Sequence, residues 1–107
     1  MNAPEPFSDD VDEDVTWYLK LYVAGDSPKS KVAYANLKRL CEEHIDHPYE
    51  IEIVDLLENP GLARADEILA IPTLVRRLPA PLRRIIGDLS DTDRVLVGLQ
   101  VPPERTP

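Results

Sequence analysis

The first clear pattern in the chain is a nearly unbroken run of apolar, aromatic and β-branched residues from Trp17 to Val23. Such a run predicts a β-strand covered on both faces, as in parallel sheets. A helix follows, because Ser27 is a suitable N-cap, Pro28 suits the first helical position, and apolar residues then recur every three or four positions. Residues 49–55 form a second predicted strand. This unit is therefore βαβ, with parallel strands and a right-handed crossover.

A second helix and a third strand are predicted next. Asn59-Pro60 repeats the cap-and-proline signal and opens a helix that continues through about Leu69. This helix must stop near Ile71, because Pro72 disfavours helical geometry in the residue before it. Residues 73–78, rich in β-branched and apolar side chains, are the third strand.

The last third of the chain permits two interpretations. Pro79-Ala-Pro81 predicts a rigid turn, after which residues 83–88 return as an antiparallel fourth strand. Leu82 to Ile86 can also be interpreted as a helical turn. Ser90-Asp-Thr-Asp93 resembles a capping box that opens a final helix. Val95–Val101 fits that helix by spacing, yet its β-branched residues and glycine would equally suit a strand. Local propensity leaves this segment open.

The element order β-α-β-α-β-β-α is that of an α/β, thioredoxin-like domain, with a mixed four-stranded sheet and helices on both faces. Pro72 lies where such domains place a cis-proline before the third strand. Active thioredoxins carry Cys-x-x-Cys at the start of the first helix, but residues 25–30 contain no sulfur. The one cysteine, Cys41, falls mid-helix on the apolar stripe, which predicts a small buried hydrophobe. A thiol oxidoreductase is therefore disfavoured.

Four blocks of sequence resemble the KaiB family. They are Lys20-Leu-Tyr-Val-Ala-Gly25, Val54-Asp-Leu-Leu-Glu-Asn-Pro60, Ile68-Leu-Ala-Ile-Pro-Thr-Leu74 and Arg83-Arg-Ile-Ile-Gly-Asp-Leu-Ser90. The resemblance spans roughly residues 17–100. It implies a non-enzymatic regulatory protein that needs no cofactor and binds a KaiC-like ATPase or a signalling kinase, in a circadian clock or in related timing or stress signalling. The alternative is a redox-inactive thioredoxin-like adaptor or stress-response module with a different partner.

The resemblance to KaiB also implies two folds for one sequence. One is a thioredoxin-like monomer that binds KaiC, and the other is a tetramer-forming fold with a rearranged C-terminal half. The open interpretation of the last third agrees with such a switch. We expect the thioredoxin-like monomer to be the ground state. Three residues are candidates for setting the balance between the folds: Trp17, Gly98 and Gln100.

Candidate partner-binding residues come from the same resemblance and from the predicted hairpin. Glu67 and Ala70 are candidates, and Glu67, like Val32, stands where a basic residue is usual on the surface that meets KaiC. Because Trp17 and Gln100 also replace a usual Tyr and Asp, we expect a divergent paralog. Four arginines flank the predicted turn, either as solvated strand ends or as a basic patch for an acidic partner: Arg76, Arg77, Arg83 and Arg84. Of these, Arg76 and Arg83 are the proposed contacts.

Charge and composition restrict the remaining function classes. The net charge is -8, and residues 1–14 hold six acids and no Lys or Arg. We expect a disordered acidic tail at 1–15, the domain at 16–101 and a flexible end at 102–107. So acidic a chain disfavours nucleic acid as a ligand, and no apolar run is long enough to span a membrane. His44 and His47 lack a third converging metal ligand. A single cysteine and no secretory signal predict a cytoplasmic protein.

Overall fold

A computed structural model describes residues 15–101 of the 107-residue chain. The predicted acidic tail, up to residue 14, and the predicted C-terminal end, residues 102–107, lie outside the described residues. The elements, in chain order, are β1 (Trp17–Val23), α1 (Pro28–His44), β2 (Tyr49–Asp55), α2 (Gly61–Ala65), β3 (Thr73–Leu78), β4 (Arg83–Ile86) and α3 (Thr92–Leu99). The predicted order of elements is confirmed, and the last segment is a helix.

The four strands form one mixed sheet in the order β2-β1-β3-β4. β1 and β2 are parallel, with Trp17 opposite Tyr49. β3 is antiparallel to both of its neighbours, β1 and β4. The predicted βαβ unit and the predicted hairpin are therefore both present.

Helices cover the sheet on both faces, but unequally. α1 and α3 pack on one face, over a large cluster that includes Leu19, Leu37 and Val95. On the other face the buried cluster is smaller: Ile68, from the segment after α2, and the partly buried Leu56 pack there with Tyr22, Val54 and Val75. The expectation that β1 is covered on both faces therefore holds only for its C-terminal half, since the side chains of the N-terminal half on this second face are partly exposed.

The N-cap of α1 is the predicted one, whereas the N-cap of α3 is not. Ser27 Oγ accepts a hydrogen bond from the Ser30 backbone N–H at 3.2 Å. At α3 the prediction of Ser90 was wrong by one residue, because Asp91 Oδ1 accepts from the Arg94 backbone N–H. The Ser90 N–H instead donates to Asp88 Oδ1, which commits that residue to the preceding turn.

The prediction that α2 begins at an Asn59 cap and extends to Leu69 was wrong at both ends. Asn59 does not cap the helix, and its side chain instead donates to the Asp55 carbonyl. The helix ends at Ala65 in a Schellman motif: the Ile68 N–H donates to the Ala63 carbonyl at 2.7 Å, and Glu67 has a left-handed φ of 59°. This turn directs Ile68 into the core, so Leu69 lies outside the helix.

α3 ends in the same way. The Val101 N–H donates to the Leu96 carbonyl, and the Gln100 N–H to the Val97 carbonyl, with Gln100 at a φ of 60°. Glu67 and Gln100 thus occupy the position of a Schellman motif that glycine usually fills. Among the helices of residues 15–101, none is long and apolar enough to cross a bilayer.

Candidate functional site

The segment Asp66–Pro72, here called the 66–72 loop, connects α2 to β3 and is the most distinctive surface feature of the domain. Its last peptide bond, Ile71–Pro72, is cis, as are Leu78–Pro79 and Ala80–Pro81. The loop therefore lies at the position where the sequence resembles the cis-proline loop of thioredoxin-like domains.

Three contacts hold the backbone of this loop in place. Tyr22 Oη, from β1, donates to Asp66 Oδ2 at 2.5 Å. Burial, together with this hydrogen bond to Asp66, raises the pKa of Tyr22 to about 12. Thr73 Oγ1 donates to the Ala70 carbonyl at 2.5 Å, and the side chain of Ile68 is buried. The loop is thus fixed at its start, its middle and its end.

Between these anchors the loop presents apolar side chains to solvent. Leu69 is 94% exposed, and Ile71 is 42% exposed. A leucine side chain that is exposed on an anchored loop contributes no burial free energy to the free protein. Exposed apolar side chains on a fixed backbone are typical of protein-binding surfaces.

Charged side chains border the apolar part of the loop. Glu67 is exposed and forms an ion pair with Arg84 at 3.7 Å, and Arg84 also donates to the Asp66 carbonyl at 3.3 Å. A cavity of about 170 Å³ lies beside this pair, with Tyr22 and Arg77 in its wall. The border of the site therefore carries both positive and negative charge, and Glu67 is more exposed than Arg84.

The structure places two of the four predicted partner-binding residues on this loop and two elsewhere. Glu67 and Ala70 belong to the 66–72 loop. The predicted four-arginine patch does not form, because side chains alternate along each strand. Arg77 and Arg84 lie on the sheet face that carries the loop, whereas Arg76 and Arg83, which are paired across β3 and β4, lie on the face covered by α1 and α3.

Arg76 is a buried residue, which contradicts its assignment as a partner contact. Its side chain is 2% exposed. Nη1 donates to the Leu99 carbonyl and Nη2 to the Pro81 carbonyl, the latter at 2.8 Å. The guanidinium also lies over the ring of Trp17. Burial, and then the charge of Arg83, lower the pKa of Arg76. This arginine positions structural elements and is closed to a partner.

Of the three candidates for fold balance, Trp17 contacts Arg76 directly, and Gly98 and Gln100 flank Leu99, whose carbonyl accepts from Arg76. Trp17 is buried and stacks on His47, with ring centroids 6.1 Å apart. A Cβ atom at Gly98 would lie 2.9 Å from Ile85 Cδ1, so α3 packs closely on β4 at this point. Gln100 is the C-terminal left-handed residue of α3. Trp17 and Gly98 therefore lie in the packing between the sheet and its helices, whereas Gln100 is exposed at the end of α3.

Neither thiol nor metal chemistry has a site in the described part of the chain. Cys41 is fully buried, and burial raises the pKa of its thiol to about 12. His47 is engaged with Trp17, and His44 is paired with Glu43 at 3.8 Å. Residues 15–101 contain no group of three metal-ligating side chains.

Sequence reasoning missed Leu69 as a surface residue of the site, and it named Arg84 among the four arginines without choosing it as a contact. The run Ile68-Leu-Ala-Ile71 carries a usable signal, because one short loop cannot bury four consecutive apolar side chains. For Arg84, the alternation between Arg83 and Arg84 shows that only one of the two faces the loop. Which one does so depends on the pairing register, which the sequence alone does not fix.

Comparisons with known proteins agree with this architecture. The KaiB domain family model matches residues 20–101. The circadian clock protein KaiB3 of Synechocystis sp. is 48% identical over 86 residues, which cover 80% of this chain and 84% of that protein. The circadian clock oscillator protein KaiB of Microcystis aeruginosa is 51% identical, with coverages of 80% and 83%.

Solved structures that resemble this chain show its fold. The N-terminal domain of SasA from Synechococcus elongatus aligns with a TM-score of 0.68 at 17% identity, covering 99% of this chain and 98% of that one. Chloroplastic thioredoxin z aligns with a TM-score of 0.64 at 23% identity, covering 80% and 78%. The fold is thioredoxin-like, and its sequence relatives are clock proteins. The chain therefore belongs to the KaiB family of circadian clock proteins.

Proposed function

We propose that this protein is a non-enzymatic regulator that binds a KaiC-like ATPase through its 66–72 loop. The observation that carries the proposal is Leu69, an almost fully exposed leucine on an anchored loop. Membership of the KaiB family supplies the partner class. The proposal includes a cytoplasmic site of action, which agrees with a single free cysteine, Cys41.

The energetics of the loop suit protein binding. Burial of a leucine side chain contributes about 1.5–3 kcal/mol. The contacts from Tyr22 and Thr73 already fix the loop, so binding loses less conformational entropy than it would with a mobile segment. The charges of Glu67 and Arg84 then select among partners more than they add affinity.

A different protein partner is the second candidate, and Glu67 favours it. The resemblance to clock KaiB proteins implies a basic residue at this position, whereas this chain presents an exposed acid. A partner matched to Glu67 carries a basic group opposite the loop. In that case the protein uses the same surface to bind a signalling kinase, or it acts as a redox-inactive adaptor for another protein.

The test is the affinity of the purified chain for the purified KaiC-like ATPase of the same organism. Leu69→Ser should weaken binding by about tenfold, which corresponds to about 1.4 kcal/mol. Val97→Ser is the matched control, since Val97 is 77% exposed on α3, away from the loop. If the unchanged chain does not bind, the assignment of a KaiC-like partner is wrong. If both variants lose the same affinity, the 66–72 loop is not the contact surface.

The proposal extends to the oligomeric state and to the second fold. The thioredoxin-like form described above acts as a monomer, and a tetramer requires rearrangement of the C-terminal half, including α3. Sedimentation velocity at several protein concentrations tests this statement. A single monomeric species agrees with it. A stable tetramer whose backbone chemical shifts still show a helical α3 contradicts it.

A further inference from the structure

Half of the sheet face that carries the 66–72 loop is left uncovered by residues 15–101. The buried cluster on this face includes Tyr22 and Val54, near the C-terminal ends of β1 and β2. Over the N-terminal ends of the same strands lies a cavity of about 460 Å³. α2 has five residues, about 8 Å in length, and is too short to extend across this region. We call this surface the open half-sheet, and its side chains are Tyr18, Lys20, Glu50, Glu52, Arg77 and Leu78.

A β-bulge in β3 turns two neighbouring side chains toward the open half-sheet. Leu19 pairs with Arg76 and Tyr18 pairs with Leu78, so Arg77 is an extra residue between two consecutive pairs. Strict alternation along β3 would place Leu78 on the helix-covered face, together with Arg76. Because of the bulge, Leu78 instead lines the same cavity as Arg77 and Tyr18. A guanidinium and an apolar side chain therefore lie next to each other on the uncovered surface.

The centre of the open half-sheet is apolar and held in place by the strands. Tyr18 and Leu78 are cross-strand partners and are 39% and 47% exposed. The backbone groups of β1 are hydrogen-bonded within the sheet, because this strand lies between β2 and β3. A molecule that packs on this face therefore gains no main-chain hydrogen bonds from it and must satisfy its own. An α-helix does so internally, and helices are the usual cover of a sheet face in α/β folds.

Charges of opposite sign border this apolar centre. Glu50 and Glu52 lie on β2 on one side, and Arg77 lies on β3 on the other. Glu52 pairs with Lys20 at 3.9 Å, whereas neither Glu50 nor Arg77 forms an ion pair within residues 15–101. β2 and β3 are two strand spacings apart, roughly 10 Å. A helix with its side chains is about 10–12 Å wide, so one helix above β1 reaches both borders.

We propose that the open half-sheet binds one amphipathic helix of a partner protein, which lies along β1. The apolar stripe of this helix packs on Tyr18 and Leu78. Its basic flank faces Glu50, and an acidic residue on the opposite flank faces Arg77. The partner thereby supplies the cover that α2 does not give. This surface is separate from Leu69 of the 66–72 loop, so the inference goes beyond the function proposed above and can fail without it.

NMR titration of the isotope-labelled full-length chain with designed helical peptides tests the proposal. The probe is a peptide of about 18 residues with a leucine stripe, lysines on one flank and glutamates on the other. We expect saturable shift changes at residues 18–20, 50–52 and 77–78. A peptide with the same leucines but glutamates on both flanks should bind about tenfold more weakly, and about 0.5 M salt should reduce this difference. A peptide with glutamines in place of the leucines should not bind.

Substitutions in the chain provide the matched controls. Tyr18→Thr keeps a residue that suits a strand and should weaken binding of the lysine–glutamate peptide about tenfold. Tyr34→Ala, at a tyrosine on α1 that is 42% exposed, should leave the affinity unchanged. Glu50→Lys should weaken binding of the lysine–glutamate peptide and strengthen binding of the all-glutamate peptide. Leu69→Ser should bind both peptides as the unchanged chain does.

Four outcomes would overturn the proposal. The first is the absence of saturable shift changes on the open half-sheet at about 1 mM peptide, and the second is equal affinity for the lysine–glutamate and all-glutamate peptides. If Leu69→Ser abolishes binding, the peptide contacts the 66–72 loop instead. If the shifts of Tyr18 and Leu78 depend on protein concentration without peptide, a second copy of the chain covers this face, and a partner helix does not.

Discussion

The guanidinium carbon of Arg76 lies 5.2 Å from the centroid of the Trp17 ring, and the same guanidinium donates to the Leu99 carbonyl at the end of α3. One side chain thereby joins β1, β3 and α3. A cation is favoured at the C-terminal end of a helix, where the carbonyls have no intrahelical partner. The position of α3 on the sheet thus depends on the buried charge of Arg76. This helix belongs to the C-terminal third of the chain, whose sequence is compatible with both a helix and a strand.

Removal of this charge should loosen α3 before the rest of the domain. Arg76→Met preserves much of the side-chain volume but leaves the Leu99 and Pro81 carbonyls without their donors. We expect the free energy of unfolding to fall by about 1–3 kcal/mol. Amide exchange should accelerate in α3 more than in α1. Arg77→Met, at an exposed neighbour in the same strand, should change the free energy by less than about 0.5 kcal/mol. Equal acceleration in both helices would contradict a local role for Arg76.

Replacing the left-handed residue after α3 with glycine should increase the stability of the domain. Gln100 has a φ of 60°, a conformation that costs a side-chain-bearing residue roughly 1 kcal/mol. Gln100→Gly removes this cost but adds backbone entropy to the unfolded chain. We therefore expect a net gain of about 0.5 kcal/mol in urea unfolding, with a larger helical fraction in α3. Gln100→Ala keeps the strain and should give no gain; equal gains from Ala and Gly would show that conformation is not the cause.

The raised pKa of the Cys41 thiol predicts a loss of stability at alkaline pH. Its pKa in the folded protein is about 12, against an ordinary value of 9.0. The unfolded chain therefore loses this proton first, so the contribution of Cys41 is complete below about pH 9 and is lost as pH rises toward 12. The difference in unfolding free energy between the unchanged chain and Cys41→Ala should shrink between pH 8 and pH 11. A pH-independent difference would contradict the burial of the thiol.

Cys41→Ser should also leave partner binding intact at modest cost in stability, because the thiol contributes packing volume. The chain should show no activity in an insulin-reduction assay. Loss of binding with unchanged folding would give Cys41 a functional role that its complete burial argues against.

The hydroxyl of Tyr22 should control the order of the 66–72 loop. Tyr22→Phe removes the 2.5 Å hydrogen bond to Asp66, which frees the start of the loop. We expect a loss of about 1–2 kcal/mol in stability, faster exchange of the Glu67 and Ile68 amides, and weaker partner binding. Tyr34→Phe is the control, since Tyr34 is 42% exposed on α1. An unchanged loop in Tyr22→Phe would show that the bond does not order it.

The strands were largely predictable because their signals are local. The runs at residues 17–23, 49–55 and 73–78 each contain enough β-branched and apolar side chains to define a strand by themselves. The errors fall where a partner distant in sequence decides. α2 stops at Ala65 because Ile68 must reach Tyr22, a contact across 46 positions that no local pattern shows.

The burial of Arg76 illustrates the same limit within the candidate site. Arg76 and Arg77 are chemically identical neighbours, and the one that is buried is decided by the pairing of Leu19 with Arg76 across β1 and β3. The open interpretation of Val95–Val101 was also resolved by tertiary contacts, as Val95 and Leu99 complete the cluster beneath α1. Local propensity proposes the elements, and packing selects among them.

Hydrogen–deuterium exchange of the full-length chain, alone and bound to the KaiC-like ATPase, tests the binding surface most directly. The account predicts slowed exchange in the 66–72 loop and at Arg84, with no change on the exposed side of α1. At a partner concentration near the dissociation constant of the unchanged chain, Leu69→Ser should lose most of this protection, whereas Val97→Ser should retain it. Protection confined to α1 or α3, with the 66–72 loop exchanging as in the free protein, would contradict the account.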